Sequence, residues 1–247
     1  MTKNILVAGF LAIGMLPLAA RADLITGELN FTGSAEISLD NVQFGNNILT
    51  AGSFNIDAAI LQQGGFMALG GTTGAIKNIT DPPYAPGVIF LTPDFMTFAA
   101  APNISIALIE VLPGIGSAAD CTIAPVAGQT CTPATSGVNE FNFENTSATS
   151  STAAFGIVGV EIDSLTNTTT PITGSFSFVF PNANFQQLLA VISGEGDITS
   201  TYAGEITVPP ASGTAVTPEP ASLIEVLTGG IGGLGLYVRR TGKRAKN

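Results

Sequence analysis

Short runs of alternating apolar and polar residues fill the middle of the chain, and they limit the folds available to it. In residues 174–180, Phe176, Phe178 and Phe180 alternate with smaller residues, which places three rings on one face of a strand. Similar runs recur between Gly, Pro and Asn residues, at 24–31, 35–39, 54–61, 88–91, 104–112, 138–143, 154–163, 172–180 and 198–208. Many short strands separated by turn residues are typical of a sandwich. We therefore predict an all-β domain over residues 23–208, built as a single antiparallel, jelly-roll-like β-sandwich.

One segment near the C-terminal end of this domain has a helical period instead. Its apolar residues recur at i, i+3, i+4 and i+7, namely Phe185, Leu188, Leu189 and Ile192. Asn184 precedes them as an N-cap and Gly194 follows as a stop signal. This pattern predicts a short amphipathic helix that closes one end of the sandwich, between its last two strands.

The charge distribution excludes one class of partner. The chain carries 18 acidic and eight basic residues, but Lys77 is the only basic residue between positions 23 and 217. Removing Glu219 and Glu225, which belong to the tail, leaves 16 acidic residues in that stretch and a net charge of −15. Nucleic-acid binding needs clustered Lys and Arg to neutralise phosphates, so nucleic acid is not an expected partner.

The first 22 residues have the layout of a secretory signal peptide. Lys3 provides the positive end, residues 5–18 form a predominantly apolar run, and a small-residue cleavage site ends at Ala22. The alternative, a retained membrane helix, is disfavoured because the run is shorter than the ~20 residues that span a bilayer. We predict an N-terminal signal helix that signal peptidase removes after Ala22.

The last residues combine a polar linker, a short motif, an apolar segment and a basic cluster. Residues 209–217 are rich in Pro, Ser, Gly and Thr, and the motif Pro218, Glu219, Pro220 follows them. The apolar segment 221–238 predicts a transmembrane helix, and the positive-inside rule holds its basic end in the cytoplasm. That basic cluster contains Arg239, Arg240, Lys243 and Arg244. An ordinary single-span anchor without processing is the alternative.

Residues 218–247 resemble the PEP-CTERM sorting signals of Gram-negative bacteria, in motif, spacing, apolar run, basic end and terminal position. The resemblance implies transient anchoring in the inner membrane and cleavage near Pro218, Glu219 and Pro220 by an exosortase-type enzyme. It also implies delivery to the cell surface or to an extracellular polysaccharide matrix. This resemblance implies no activity for the rest of the chain.

The two cysteines of the chain predict a disulfide. Cys121 and Cys131 lie ten residues apart, and export leads to an oxidising compartment. A structural zinc site is not expected, because two cysteines without any histidine cannot complete four ligands.

The candidate catalytic groups are carboxylates alone. No histidine is present to act as the general base of a serine or cysteine nucleophile. Pairs of acids could serve a glycoside hydrolase, but the chain has no Trp and only three Tyr to form sugar platforms. The candidate acids are Asp81, Asp94, Glu110, Glu161, Asp163, Glu195 and Asp197. We therefore expect no enzymatic activity.

Two acidic pairs, Glu161 with Asp163 and Glu195 with Asp197, could offer oxygens to Ca²⁺, although neither matches an EF-hand loop. We expect no cofactor, with Ca²⁺ kept as an alternative. Sequons for N-glycosylation begin at Asn30, Asn78, Asn103, Asn145 and Asn167, a number close to chance in a chain rich in Ser and Thr.

These observations predict a structural or adhesive surface module associated with exopolysaccharide. A calcium- or glycan-binding module is the first alternative. A secreted hydrolase that works through two carboxylates is the second.

Overall fold

The computed structural model describes residues 26–38, 41–45, 50–58, 62–80, 84–134, 140–194 and 196–209. The chain divides into two units, Met1–Pro209 and Pro210–Asn247, and all described residues belong to the first. The predicted signal peptide, linker residues 210–217 and the sorting tail lie outside the described residues. Within the described ranges, no helix combines the length and the apolar character needed to cross a bilayer.

The described residues form twelve strands, one α-helix and two 3-10 turns. The strands are β1 (Gly27–Ile37), β2 (Asn41–Gln43), β3 (Gly52–Ile56), β4 (Thr73–Ile76), β5 (Ile79–Thr80), β6 (Thr92–Phe98), β7 (Ala101–Val111), β8 (Thr130–Cys131), β9 (Asn142–Ser147), β10 (Ser150–Asp163), β11 (Thr168–Phe180) and β12 (Ile198–Val208). The helix is α1 (Phe185–Ser193), and the 3-10 turns span Gly64–Leu69 and Ala118–Thr122.

Eight of these strands close into an antiparallel barrel, in the order β11-β12-β1-β3-β4-β6-β7-β10, with β10 pairing back to β11. Strands β2 and β5 extend from β1, and β9 and β8 extend from β10. The predicted all-β class with one short helix is confirmed, but the predicted β-sandwich is not, because one hydrogen-bonded sheet runs around the whole ring. Closure depends on β10, which is long enough to pair with β9 near its start and with β7 near its end.

Several predicted strands change their limits. Runs 24–31 and 35–39 contribute to the single strand β1, since the alternation continues through Gly33. Residues 88–91 are not a strand; Val88, Ile89 and Leu91 are at least half exposed there, and β6 begins after them at Thr92. An apolar run alone does not say whether its side chains find a core, which explains this wrong prediction.

Aromatic side chains fill the barrel. Phe176, Phe178 and Phe180 are buried, which confirms the predicted core stripe. The ring of Phe176 stacks on Phe155 with centroids 4.9 Å apart and meets Phe31 edge-on at 5.5 Å. Burying one such side chain contributes about 1.5–3 kcal/mol relative to leaving it exposed, so this cluster is a main source of stability.

Helix α1 begins with a capping box. The Gln187 backbone N–H donates to Asn184 Oδ1 at 3.0 Å, and the Asn184 N–H donates to Gln187 Oε1 at 3.1 Å. Phe185, Leu188 and Ile192 are buried, and the helix ends at Gly194. The predicted helix is therefore confirmed, and it packs on β9, β10 and β12.

Candidate functional site

The predicted disulfide between Cys121 and Cys131 is present, with the two Cα atoms 5.2 Å apart. Cys131 lies buried on β8, and Cys121 lies in the 3-10 turn Ala118–Thr122. Closing a loop of this length contributes roughly 2–3 kcal/mol by restricting the unfolded chain. The bond therefore fixes an otherwise irregular loop to the barrel.

The buried side chain of Asn145 ties this loop to α1. Asn145 Oδ1 accepts from the Phe185 N–H at 2.9 Å, and Asn145 Nδ2 donates to Gln186 Oε1 at 3.0 Å and to Gln129 Oε1 at 3.3 Å. Gln186 Nε2 in turn donates to the Ile123 carbonyl at 2.9 Å. In the sequence, Asn145 is recognisable only as the start of a sequon, because the partners of its side chain are distant along the chain. Its amide is enclosed and bonded, so it has a structural function.

The acidic residues of the run 161–163 occupy different environments. Glu161 is buried, and it lies opposite Thr170 of β11. Its Oε1 atom has no hydrogen-bond partner, and neither has the Thr170 hydroxyl. Burial raises the pKa of the Glu161 carboxyl, the adjacent Thr170 hydroxyl lowers it in part, and the nearby charge of Asp163 raises it, so the net shift is upward.

Asp163 instead organises the turn between β10 and β11. Its carboxylate accepts from Asn103 Nδ2 at 2.9 Å, from the Leu165 N–H at 2.9 Å and from the Thr166 hydroxyl at 2.8 Å. These hydrogen bonds, that of Asn103 first, lower the pKa of Asp163. One carboxyl thus lies in the interior, and the other stabilises a turn.

The remaining candidate acids do not cluster where the structure describes them. Asp94 and Asp197 are exposed, whereas Glu110 is half-buried on β7. Asp81 and Glu195 lie outside the described ranges. Over those ranges, no three Asp, Glu, Cys or His side chains come together to hold a metal ion.

A shallow trough of about 440 Å³ crosses the outer surface of β3, β1, β12 and β11. Its rim and floor consist mainly of small and uncharged polar residues: Thr32, Gly33, Ser34, Asn55, Ser177, Val179, Thr201, Tyr202 and Ala203. Strand register aligns them, since Thr32 pairs with Asn55 on one side and with Ala203 on the other, while Ser34 pairs with Thr201. We call these residues the hydroxyl trough.

Alternation explains why the trough is polar. Gly33 of β1 and Tyr202 of β12 point inward, whereas their neighbours along each strand point outward. The outward positions do not contribute to the hydrophobic core, so they can be polar. A flat, polar strand surface is the consequence. Alternation along one strand does not say which strands lie side by side.

The floor of the trough depends on Gly33. Directly inside it, the Tyr202 side chain is buried and its hydroxyl has no hydrogen-bond partner. A Cβ atom at Gly33 would lie 2.5 Å from that hydroxyl, so only glycine fits. Burial raises the pKa of Tyr202 well above its usual value, which keeps the phenol neutral.

Comparison of the chain with protein-family models, with curated proteins and with solved structures found no match.

Proposed function

We propose that this chain is a surface protein exported by a Gram-negative bacterium and sorted by an exosortase-type system. Signal peptidase removes residues 1–22 after Ala22, and the exosortase-type enzyme cuts near Pro218, Glu219 and Pro220. The layout of the two ends supports this proposal, since the apolar segment 221–238 and its basic cluster form a transient inner-membrane anchor. The mature domain then reaches the cell surface or the extracellular matrix.

At its destination the domain acts as a non-catalytic structural or adhesive module that contacts extracellular polysaccharide. The hydroxyl trough is the observation that carries this proposal. It presents uncharged hydrogen-bonding groups over four aligned strands, and such a surface suits a polyhydroxylated polymer.

Two features of the domain fit an extracellular role. The disulfide Cys121–Cys131 is stable in an oxidising compartment. The net charge of −15 over residues 23–217 keeps the domain soluble and disfavours polyanionic partners such as nucleic acid.

The sorting step is tested by expressing the full chain in a host with an exosortase and in the same host with that enzyme deleted. Mass spectrometry of C-terminal peptides should find cleavage near residues 218–220, and surface release, only when the enzyme is present. An intact tail in both hosts would instead assign the protein to the outer face of the inner membrane, as a simple anchored protein.

The role in the matrix is tested separately, by comparing retention of the processed protein on cells that make exopolysaccharide and on isogenic cells that do not. Retention should depend on the polysaccharide. Equal retention on both kinds of cell would contradict the adhesive role. Release of sugar from the polysaccharide would favour the hydrolase alternative.

A further inference from the structure

We propose that the hydroxyl trough is a binding site for a single strand of uncharged polysaccharide and that it rejects anionic polysaccharides. This inference rests on the proposed function and deepens it, because it names the site and the chemical class of its ligand. It follows from the bonding state of the side chains, from the charges around them and from the shape of the surface.

The polar side chains of the trough are free to bond a ligand. The structure records no hydrogen bond from the side chains of Thr32, Ser34, Asn55, Ser177 or Thr201, although each is exposed on the outer face. Each hydroxyl can donate one hydrogen bond and accept two, and the amide of Asn55 adds two donors and an acceptor. Together they match a ligand that carries both donors and acceptors, as sugar hydroxyls do.

Hydroxyls at two turns of the domain are, by contrast, already engaged in hydrogen bonds. At the turn between β9 and β10, the Thr146 and Ser147 hydroxyls each bond to the Ser150 hydroxyl, at 2.7 and 2.6 Å. At the next turn, Thr166 bonds to Thr168 at 2.8 Å and to Asp163. Those groups stabilise turns, whereas the trough residues sit on regular strands that need no side-chain support. The contrast separates the trough from the polar turns of the domain.

Carboxylates flank the trough on two opposite sides, in the direction of the strands, and disfavour an anionic ligand. Along β1, Glu36 lies two residues beyond Ser34 and pairs with Thr199 of β12. Towards the other end, Glu205 lies two residues beyond Ala203, opposite Asn30 of β1 and Ser175 of β11. No Lys, Arg, Asp or Glu lines the trough itself. An anionic polymer would therefore approach two carboxylates and a strongly acidic domain without any cation to pair with.

The register gives the site an elongated form. One row runs from Asn55 through Thr32 and Ala203 to Ser177, across four neighbouring strands. With about 4.8 Å between strands, this row extends roughly 14 Å. A second row places Ser34 beside Thr201. Because the floor is Gly33 and Ala203, a polymer strand can lie close to the sheet along these rows.

The test is affinity electrophoresis of the full chain in mild detergent, through gels that contain dextran, amylose or galactomannan as neutral probes, or alginate as the anionic probe. At least one neutral polysaccharide should retard the protein, and alginate should not. The triple variant Thr32→Val/Ser34→Ala/Thr201→Val should bind at least about tenfold more weakly, since three hydrogen-bonding groups are lost. Ser177→Glu, whose longer side chain obstructs one end of the row, should also weaken retardation.

A control outside the trough is the double variant Thr97→Val/Ser105→Ala. Thr97 of β6 pairs with Ser105 of β7, and both side chains are half-buried. Neither strand lines the trough. The control should bind like the original protein, and thermal unfolding should show that all variants fold.

Equal retardation of the triple variant and the original protein would overturn the site, and retardation by alginate would overturn the selection for neutral polymers. Absence of retardation by every neutral probe would also overturn the inference. Retention of the processed protein on cells that make exopolysaccharide then shows separately whether the proposed adhesive role also fails.

Discussion

The two walls of the barrel differ in the length of their strand pairing. Strands β10 and β11 pair from Ser151, which lies opposite Phe180, to Asp163, which lies opposite Thr168. Strand β1 pairs with β12 along its whole length, Gly27–Ile37. On the other side, β4 pairs with β6 only through Gly74, Ala75 and Ile76. We call these the long wall, formed by β1, β10, β11 and β12, and the short wall, formed by β3, β4 and β6.

This difference has a physical consequence for local stability. Segments with few backbone hydrogen bonds and few neighbours open at lower free energy than the rest of a domain. The short wall is therefore expected to open locally, while the long wall opens only when the whole barrel unfolds. Three of the four strands that carry the hydroxyl trough, β1, β11 and β12, belong to the long wall, so the proposed binding surface stands mainly on the more rigid side.

The largest expected effect is that of Phe176→Ala, because Phe176 is fully buried among the rings of Phe31, Phe155 and Tyr202. The free energy of unfolding should fall by about 3–5 kcal/mol in a urea titration. Hydrogen exchange of the β11 amides should accelerate, while the β4 amides should change little. Val179→Ala on the same strand is an exposed control and should cost much less. Equal acceleration in both walls would contradict the comparison.

The second effect concerns the loop attached to the long wall through β8 and β9. Replacing both Cys121 and Cys131 by Ser should lower the free energy of unfolding by roughly 2–3 kcal/mol. Urea titrations of the oxidised and reduced original protein should differ by a similar amount, with the double variant insensitive to reductant. A thiol assay that finds two reactive groups in the denatured, unreduced protein would refute the disulfide itself.

A third, smaller effect is predicted for Asn145→Ala, which leaves the Phe185 N–H without its acceptor. The loss of this buried hydrogen bond should cost about 1–3 kcal/mol. Exchange should accelerate first at the start of α1 and at Gly128, whose N–H donates to the backbone carbonyl of Asn145 at 2.7 Å. Glu144→Gln, an exposed neighbour on β9, is the control. Uniform acceleration over the whole barrel would mean that Asn145 supports the core and not the loop alone.

The smallest effect is a change in pH dependence at Glu161 of the long wall. Its folded-state pKa is raised by burial, so folding favours the protonated form. Its stabilising contribution is complete below its ordinary pKa, near 4.5, and is lost as the pH rises through the folded-state value. Glu161→Gln should therefore be more stable than the original protein at neutral pH and nearly equal in acid. Thermal melts at several pH values measure this, and a variant less stable at neutral pH would contradict it.

Asp163 provides an internal comparison of the opposite sign. Its pKa is lowered by its hydrogen bonds in the turn, so its contribution is present above its ordinary pKa and is lost as the pH falls. Asp163→Asn should therefore remove stability at neutral pH and matter least in acid. The two variants together separate an interior carboxyl from one that stabilises a turn.

Local patterns were sufficient to predict the features that depend on neighbours in sequence. The Phe stripe of β11, the capped helix that begins at Phe185 and the bond between Cys121 and Cys131 all follow from spacing over a few residues. Each is confirmed because alternation, capping and short-loop closure act over the same few residues that carry the signal.

The wrong or missing predictions share a different cause. Residues 88–91 have the composition of a strand, yet only Phe90 packs against the core, while Val88, Ile89 and Leu91 are exposed. Asn145 becomes a link between loop and helix only because Gln129 and Phe185, distant in sequence, are brought to it. No local pattern contains this information.

The sequence by itself determined the strand-rich class, the helix, the disulfide and the expectation of export, because periodicity, capping, cysteine spacing and the layout of the two ends are local properties. Only the tertiary structure decided that the sheet closes into a barrel and which polar residues form the hydroxyl trough. Alternation states that a side chain faces outward, but the neighbours across the sheet are set by long-range register. That register is fixed by aromatic packing inside the barrel, where side chains from distant strands must fit together.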